Sequence, residues 1–354
     1  MPGTPRLFAG TPQERAGGGD LLGDTLRSVR LNGSVFLNAR FSAPFGVVSP
    51  KQYDAGTPLA HLQHISIFHL IASGRCTIEI ATGERRELAT GDVLLLPFAD
   101  AHKFWRGDYV DVAFAPDIMQ QGPVAGLWTI DHGGGGETTR MVCGFIESAE
   151  FAFAPVFRSL PPLVIEHTGD DQMSALLTGT VGRILELSDT AAPGSELVLG
   201  RLMELLFVEM IRRYAAELPP TATGWLAAIN APLVGRAVRL VHDDPVRKWT
   251  VDDLAREVGT SRTVLAERFN AVLGQSPMEY VIGWRMQLAA ERLRNGNDGI
   301  ASIAADVGYE SEPAFNRAFK RVTGVTPGAW REAARTAANA AGSPPALRSR
   351  SMPG

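Results

Sequence analysis

The chain has 354 residues, of which 45% are hydrophobic and 20% charged, with a net charge of −4. That length exceeds one ordinary domain and the composition excludes a disordered or fibrous chain, so two or more packed units are expected. The acidic balance excludes a nucleic-acid binder working by bulk charge alone, but the charge is uneven: residues 228–335 carry about two net positive charges, which leaves the remainder acidic by about six.

Residues 1–19 are rich in Gly and Pro and contain no apolar run of signal-peptide type, so a disordered tail is expected. No stretch approaches the about 20 apolar residues of a membrane span. Cys76 and Cys143 are too few for a disulfide framework, and a reducing, cytoplasmic compartment is the simpler reading. Leu21, Leu22, Leu26 and Val29 are spaced for one face of a short helix. The period then changes. Residues 34–42, 65–72, 75–81, 92–96, 109–114 and 140–146 are short runs of β-branched and aromatic residues, separated by Gly, Pro and Asp. Short strands with regular turn signals predict an antiparallel sandwich or barrel.

Helical spacing returns at residue 170. Met173, Leu176, Leu177, Val181, Ile184 and Leu185 form one stripe. Leu197, Leu202, Leu205, Leu206, Met210 and Ile211 form a second, closed by Pro219-Pro220. These two helices, within a linker of residues 169–220, predict either packing within the domain or the seam of a homodimer over residues 170–216. From Thr336 to the C-terminus, Gly342, Pro344 and Pro345 predict a second disordered tail.

Between residues 250 and 332 one pattern is written twice. Leu254-Ala255 matches Ile303-Ala304, Val258-Gly259 matches Val307-Gly308, and Phe269, Gly274 and Pro277 match Phe319, Gly324 and Pro327. Only the turn differs, being one residue longer in the second copy. Thr250 with Asp253 is an approximate capping box, Gly259 suits a helix C-terminus, and Ser261 and Ser311 are expected to cap the helices that follow. Helix, glycine turn and helix, duplicated, predict two helix-turn-helix units joined by a connector helix over residues 275–294. In such a unit the second helix enters the major groove. Its outward residues are Arg262, Thr263, Ala266, Glu267 and Asn270 in the first copy, and Glu312, Asn316, Arg317 and Lys320 in the second. Arg suits guanine, Asn adenine and Glu cytosine, while Arg256, Arg268, Lys320 and Arg321 are placed for phosphates. Read singly, each could equally be an ordinary solvated side chain.

Residues from about 232 to 332 resemble the DNA-binding domain of the AraC/XylS family of bacterial transcription regulators. The segment GYESEPAFNRAFKRVTGVTPGAWR carries most of the resemblance, with SRTVLAERF and WRMQLAAERLR in support. The resemblance implies seven helices, double-stranded DNA as partner with RNA polymerase beside it, and both recognition helices in successive major grooves. Thr263 and Glu267 depart from the larger or basic side chains that many members carry there.

Upstream, FHLIASGRCTIEI, GDVLLLPFADAH and MVCGF resemble the cupin-type sensory domain that precedes this DNA-binding domain in one subgroup. Gly91, Pro97 and His102 follow the second cupin motif, but Ala99 replaces a glycine, and His61, His64 and His69 do not keep the first motif's spacing. By strand alternation His69 and Cys143 point into the barrel. With His102 they could hold zinc or a similar divalent metal, or lower the thiol pKa for an oxidant sensor, or serve only as core. An effector bound in the barrel mouth is independent of them. The expectation is thus an α+β multidomain chain: a cupin-like antiparallel β-barrel over residues 20–168, a helical linker, and an all-α domain over residues 228–335 with two helix-turn-helix units. The function expected is a sequence-specific transcription regulator sensing a small molecule, metal or oxidant. The alternative is a cupin-type metal-dependent enzyme with an accessory helical domain.

Overall fold

The computed structural model describes residues 20–51, 59, 62, 64–108, 112–122, 127–167, 172–190, 193–219 and 221–341. Both expected tails, apart from residues 336–341, lie outside the described residues, as does His61. Strands run in the order β1 (Asn32–Ser42), β2 (Phe45–Ser49), β3 (Ile65–Ser73), β4 (Arg75–Ile80), β5 (Arg85–Ala89), β6 (Asp92–Leu96), β7 (His102–Arg106), β8 (Ala113–Phe114), β9 (Gln120–Gln121), β10 (Trp128–Gly133), β11 (Thr138–Glu147) and β12 (Val164–His167). Short helices α1 (Leu21–Arg27), α2 (Ala115–Ile118) and α3 (Pro155–Arg158) sit among them. Then come α4 (Gln172–Ser188), α5 (Ser195–Glu217), α6 (Trp225–Ala228), α7 (Val234–Asp243), α8 (Val251–Glu257), α9 (Arg262–Leu273), α10 (Pro277–Asn295), α11 (Ile300–Asp306), α12 (Glu312–Thr323) and α13 (Pro327–Ala341).

The strands form two sheets, ordered β12-β6-β3-β11-β1-β10-β9 and β5-β4-β7-β2-β8. Most neighbouring strands pair antiparallel, as expected for the cupin-like sheets, with two exceptions: β1 pairs with β10 in parallel and β2 with β8 in parallel. The cause is topological. The chain leaves β1, builds the intervening strands, and returns alongside it in the same direction, which no local alternation encodes. The strand expected over residues 109–114 is seen at Ala113–Phe114 only; residues 109–111 lie outside the described set.

Side-chain alternation along the long strands divides two cores. Ile65, Ile67 and Ile71 of β3, Met141 of β11 and Leu94 of β6 face the second sheet, where they meet Phe45, Ile78 and Phe104. Phe68, Leu70, Val142 and Val93 face the other way, toward α5. There Phe68 meets Phe207 edge-on, with ring centroids 6.2 Å apart. Helix α5 crosses β1 closely: a Cβ at Gly33 would stand 2.4 Å from the Gly200 carbonyl oxygen, and one at Gly200 2.7 Å from that of Gly33. Two glycines let the helix backbone rest on the strand backbone. The inner stripe of α5, Leu206, Met210 and Ile211, is therefore packing within the domain, whereas Leu197 is 68% exposed, with Val198 and Leu205 exposed beside it.

The helical units are not detached from the sheets. The core on the outer face of the seven-stranded sheet continues through Phe157 and Trp225 to Leu254 and Phe269. Connector α10 is gripped from the sheet side. Gln287, fully buried, donates from Nε2 to Ser28 Oγ at 2.6 Å. The Arg294 guanidinium pairs with the Glu150 carboxylate, their side chains only 8% and 1% exposed. Phe153 meets Trp330 edge-on at 5.6 Å. Helix α13 continues to Ala341, so residues 336–341 are helical rather than part of the tail expected from Thr336; the remainder of that tail lies outside the described residues.

Candidate nucleic-acid interface

The two helix-turn-helix units repeat in atomic detail. At the end of α8 the Gly259 amide donates to Arg256 O at 3.2 Å and the Thr260 amide to Ala255 O at 2.8 Å. At the end of α11 Gly308 donates to Ala305 O at 3.0 Å and Tyr309 to Ala304 O at 2.9 Å. Both are paired 5→2 and 6→1 bonds around a left-handed residue, with φ of 72° at Gly259 and 82° at Gly308. A side chain at either position would strain the turn. Thr250 and Asp253 form the full reciprocal capping box, and Ser261 caps α9 through the Val264 amide. The expectation for Ser311 fails: its side chain makes no capping bond to α12. Pro313 in the first turn already removes one of the donors a cap would serve.

Buried Leu265 and Phe269 anchor α9, and Phe315 and Phe319 anchor α12, at matching positions. At about 100° per residue these anchors set which side chains face out. Arg262, Thr263, Glu267 and Asn270 are exposed on α9, with Arg268 exposed nearer the edge. Arg317, Lys320 and Arg321 are exposed on α12, as is Glu312 in its first turn. Ala266 and its counterpart Asn316 sit on the shoulder and are only half-exposed; Asn316 Oδ1 is buried. Asn316 is thus less available than the sequence suggested. Arg262 donates to Asp252 at 3.3 Å, and Arg256 is held by Asp253. Among the described residues Arg268, Arg317, Lys320 and Arg321 take no ion pair.

Sequence reasoning missed what holds the two units together. Arg285 of α10 donates to the carbonyls of Pro245 at 2.7 Å and Arg247 at 2.8 Å, in the loop before α8. The same guanidinium lies against Gly308: a Cβ there would stand 3.0 Å from Arg285 Nη2 and 2.9 Å from Val246 O. Lys248 and Glu310 form an ion pair across the same junction. Near it His242 stacks on Trp284 at 3.7 Å and accepts from the Tyr280 hydroxyl at 2.7 Å, and that hydroxyl accepts from Trp225 Nε1 at 2.8 Å. Burial, then the neighbouring Arg239, hold the His242 pKa down to about 3.

In the sheet domain the three singled-out residues do meet. His69 Nδ1 lies 2.9 Å from Cys143 Sγ, the cross-strand neighbour in β11, and the His69 and His102 rings stand 4.8 Å apart. His102 Nδ1 faces Asp100 O at 2.9 Å, so that nitrogen carries the proton and Nε2 offers a lone pair. The Nε2 atoms of both histidines are buried without a partner. Burial pushes the His69 pKa well down, with His102 adding to it, and takes His102 to about 4. One expectation is corrected: the Cys143 thiol pKa is raised by burial rather than lowered, because the neighbouring imidazole is neutral. Nor, among the described residues, do three His, Cys, Asp or Glu side chains converge as a metal-ligating group. Cys76 is core, its pKa raised to about 12 chiefly by burial. No helix among the described residues is long and apolar enough to cross a membrane.

A cupin family model matches residues 20–216, and a helix-turn-helix domain model matches residues 254–333. The chain is 34% identical to an AraC-like transcription regulator of Streptomyces lividans over 75% of this chain and 86% of the relative. It is 32% identical to an AraC-like transcription regulator of Streptomyces antibioticus over the same shares. It is 29% identical to the HTH-type transcriptional regulator AlkR of Acinetobacter baylyi, over 76% of this chain and 89% of that protein. These relatives are regulators, and the alternative of a cupin-type enzyme falls with that finding. With a cupin domain ahead of two helix-turn-helix units, the chain belongs to the AraC-like transcription regulators and binds DNA through its C-terminal helical domain.

Proposed function

We propose that the chain reads an operator through the outward faces of α9 and α12, with Arg262, Thr263, Glu267 and Asn270 in one major groove and Glu312, Arg317, Lys320 and Arg321, flanked by Asn316, in the next. One observation carries this: Arg317, Lys320 and Arg321 project together from α12, exposed, with no ion pair among the described residues. Cations left unpaired on one helix face suit a polyanion. The regulator works in the cytoplasm, beside RNA polymerase, and its sheet domain takes an effector. The partnerless Nε2 atoms of His69 and His102, with Cys143 beside them, mark where a polar group of such an effector would be met. The exposed Leu197, Val198 and Leu205 of α5 would form the seam of a homodimer. The test is Arg317→Ala in a gel-shift assay on DNA flanking the gene. The variant is expected to lose about 1–3 kcal/mol of specific binding, with its unfolding unchanged. Unaltered operator affinity would sink the assignment of α12.

A further inference from the structure

The two units differ chemically at one matching position. Glu267 stands two residues before the buried Phe269, and Arg317 two residues before the buried Phe319. Because these phenylalanines are the anchors of their helices, Glu267 and Arg317 leave α9 and α12 in the same direction, opposite the core. Glu267 is exposed and makes no ion pair among the described residues. The cation at the start of its helix, Arg262, is directed to Asp252 instead. The groove-facing set on α9 (Arg262, Thr263, Glu267, Asn270) thus sums to no net charge, and that on α12 (Glu312, Arg317, Lys320, Arg321) to two positive charges.

A bare carboxylate on a face that meets DNA is repelled by phosphates wherever the sequence is wrong. It gains only where a base edge offers an amino group. In the major groove cytosine presents its N4 amino group without an adjoining acceptor, whereas adenine places N7 beside N6 and guanine presents acceptors alone. Resting on the DNA-reading face assigned above, we propose that base reading is split by charge: Glu267 accepts from the N4 amino group of a cytosine, and Arg317 donates to O6 and N7 of a guanine. Helix α12 supplies the greater part of the phosphate attraction. Helix α9 adds little affinity on random DNA and acts by rejecting bases that leave its carboxylate unpaired.

Selection of binding sites from a random duplex library, using the full chain and its Glu267→Gln, Glu267→Ala and Arg317→Ala variants, tests the division. The parent is expected to enrich one motif with a cytosine in one half and a guanine in the other, a groove turn apart. Glu267→Gln should lose the cytosine, turning toward adenine, and keep the guanine. Glu267→Ala should bind random DNA more tightly than the parent and lose about five- to hundredfold in preference for the selected cytosine. Arg317→Ala should lose the guanine and keep the cytosine. If Glu267→Gln and Glu267→Ala select the parent's motif unchanged while Arg317→Ala alters it, the charge division is overturned and the DNA-reading face stands. If the parent enriches no motif, both fall together.

Discussion

Removing one partner of the Glu150–Arg294 pair should uncouple the sheet domain from the connector helix. The Arg294 side chain is 8% exposed and that of Glu150 1%, so neither charge can turn to water if the other is lost. Burial, then nearby Arg30, already hold the Arg294 pKa down to about 10, a sign of how dry the position is. Glu150 keeps one other partner, the Ser148 hydroxyl donating at 2.7 Å, and Arg294 reaches the Ser28 carbonyl only at 3.4 Å. Two unit charges about 4 Å apart attract by about 4 kcal/mol at an effective dielectric near 20. Stranding one of a buried pair costs roughly 3–5 kcal/mol. Arg294→Leu should therefore lower the free energy of urea-induced unfolding at neutral pH by about 3 kcal/mol or more. The double change Glu150→Leu with Arg294→Leu should recover all but about 1 kcal/mol, since an apolar pair of similar volume often replaces buried charges without loss. An Arg294→Leu protein within about 0.5 kcal/mol of the parent, or a double variant as weak as the sum of the singles, would refute the coupling.

Acid should weaken the fold through its neutral histidines. His102 and His242 have folded pKa values of about 4 and about 3, below the unfolded value, so the stability they carry is complete above about pH 6.5 and is lost as pH falls toward those values. Each should remove about 2 kcal/mol between about pH 6.5 and pH 5, and His242→Phe should flatten the slope of unfolding free energy against pH. An unchanged slope in that variant would count against the buried, neutral ring. At the other candidate site, no metal-ligating group converges among the described residues, so zinc added to the full chain should leave its melting temperature unchanged. A rise that Cys143→Ser diminishes would overturn this and make Cys143 a ligand.

The duplicated units were legible because their determinants are local. The glycine turns, the Thr250–Asp253 box, the matched Pro277 and Pro327, and the spacing from Gly to Phe are all set by residues close in the chain. The inward aim of His69 and Cys143 was legible for a related reason, since alternation along one strand fixes a face. Which strands pair was not. Strands β2, β5, β7, β10 and β12 are short, and their membership of a sheet depends on partners brought from far along the chain. Interdomain contacts were hidden most fully. Gln287 and Ser28 lie 259 positions apart, and a glutamine in an amphipathic helix reads as solvent-facing until its partner is seen. Ser311 shows the opposite failure: a local signal with no bond behind it, because Pro313, in the first turn, leaves less to cap.

Arg285 turns the DNA-binding domain into a gauge of fixed span. One guanidinium holds the loop before α8 by hydrogen bonds and packs against the turn before α12, so a shift of one helix-turn-helix unit presses on the other. Each base pair inserted between two half-sites rotates one against the other by about 34° and moves it about 3.4 Å along the axis. If α9 and α12 read successive grooves as proposed, substitutions inside an operator should weaken it by degrees, whereas a single base pair inserted or deleted between its halves should abolish it, and sites in the genome could drift in letter but not in phase.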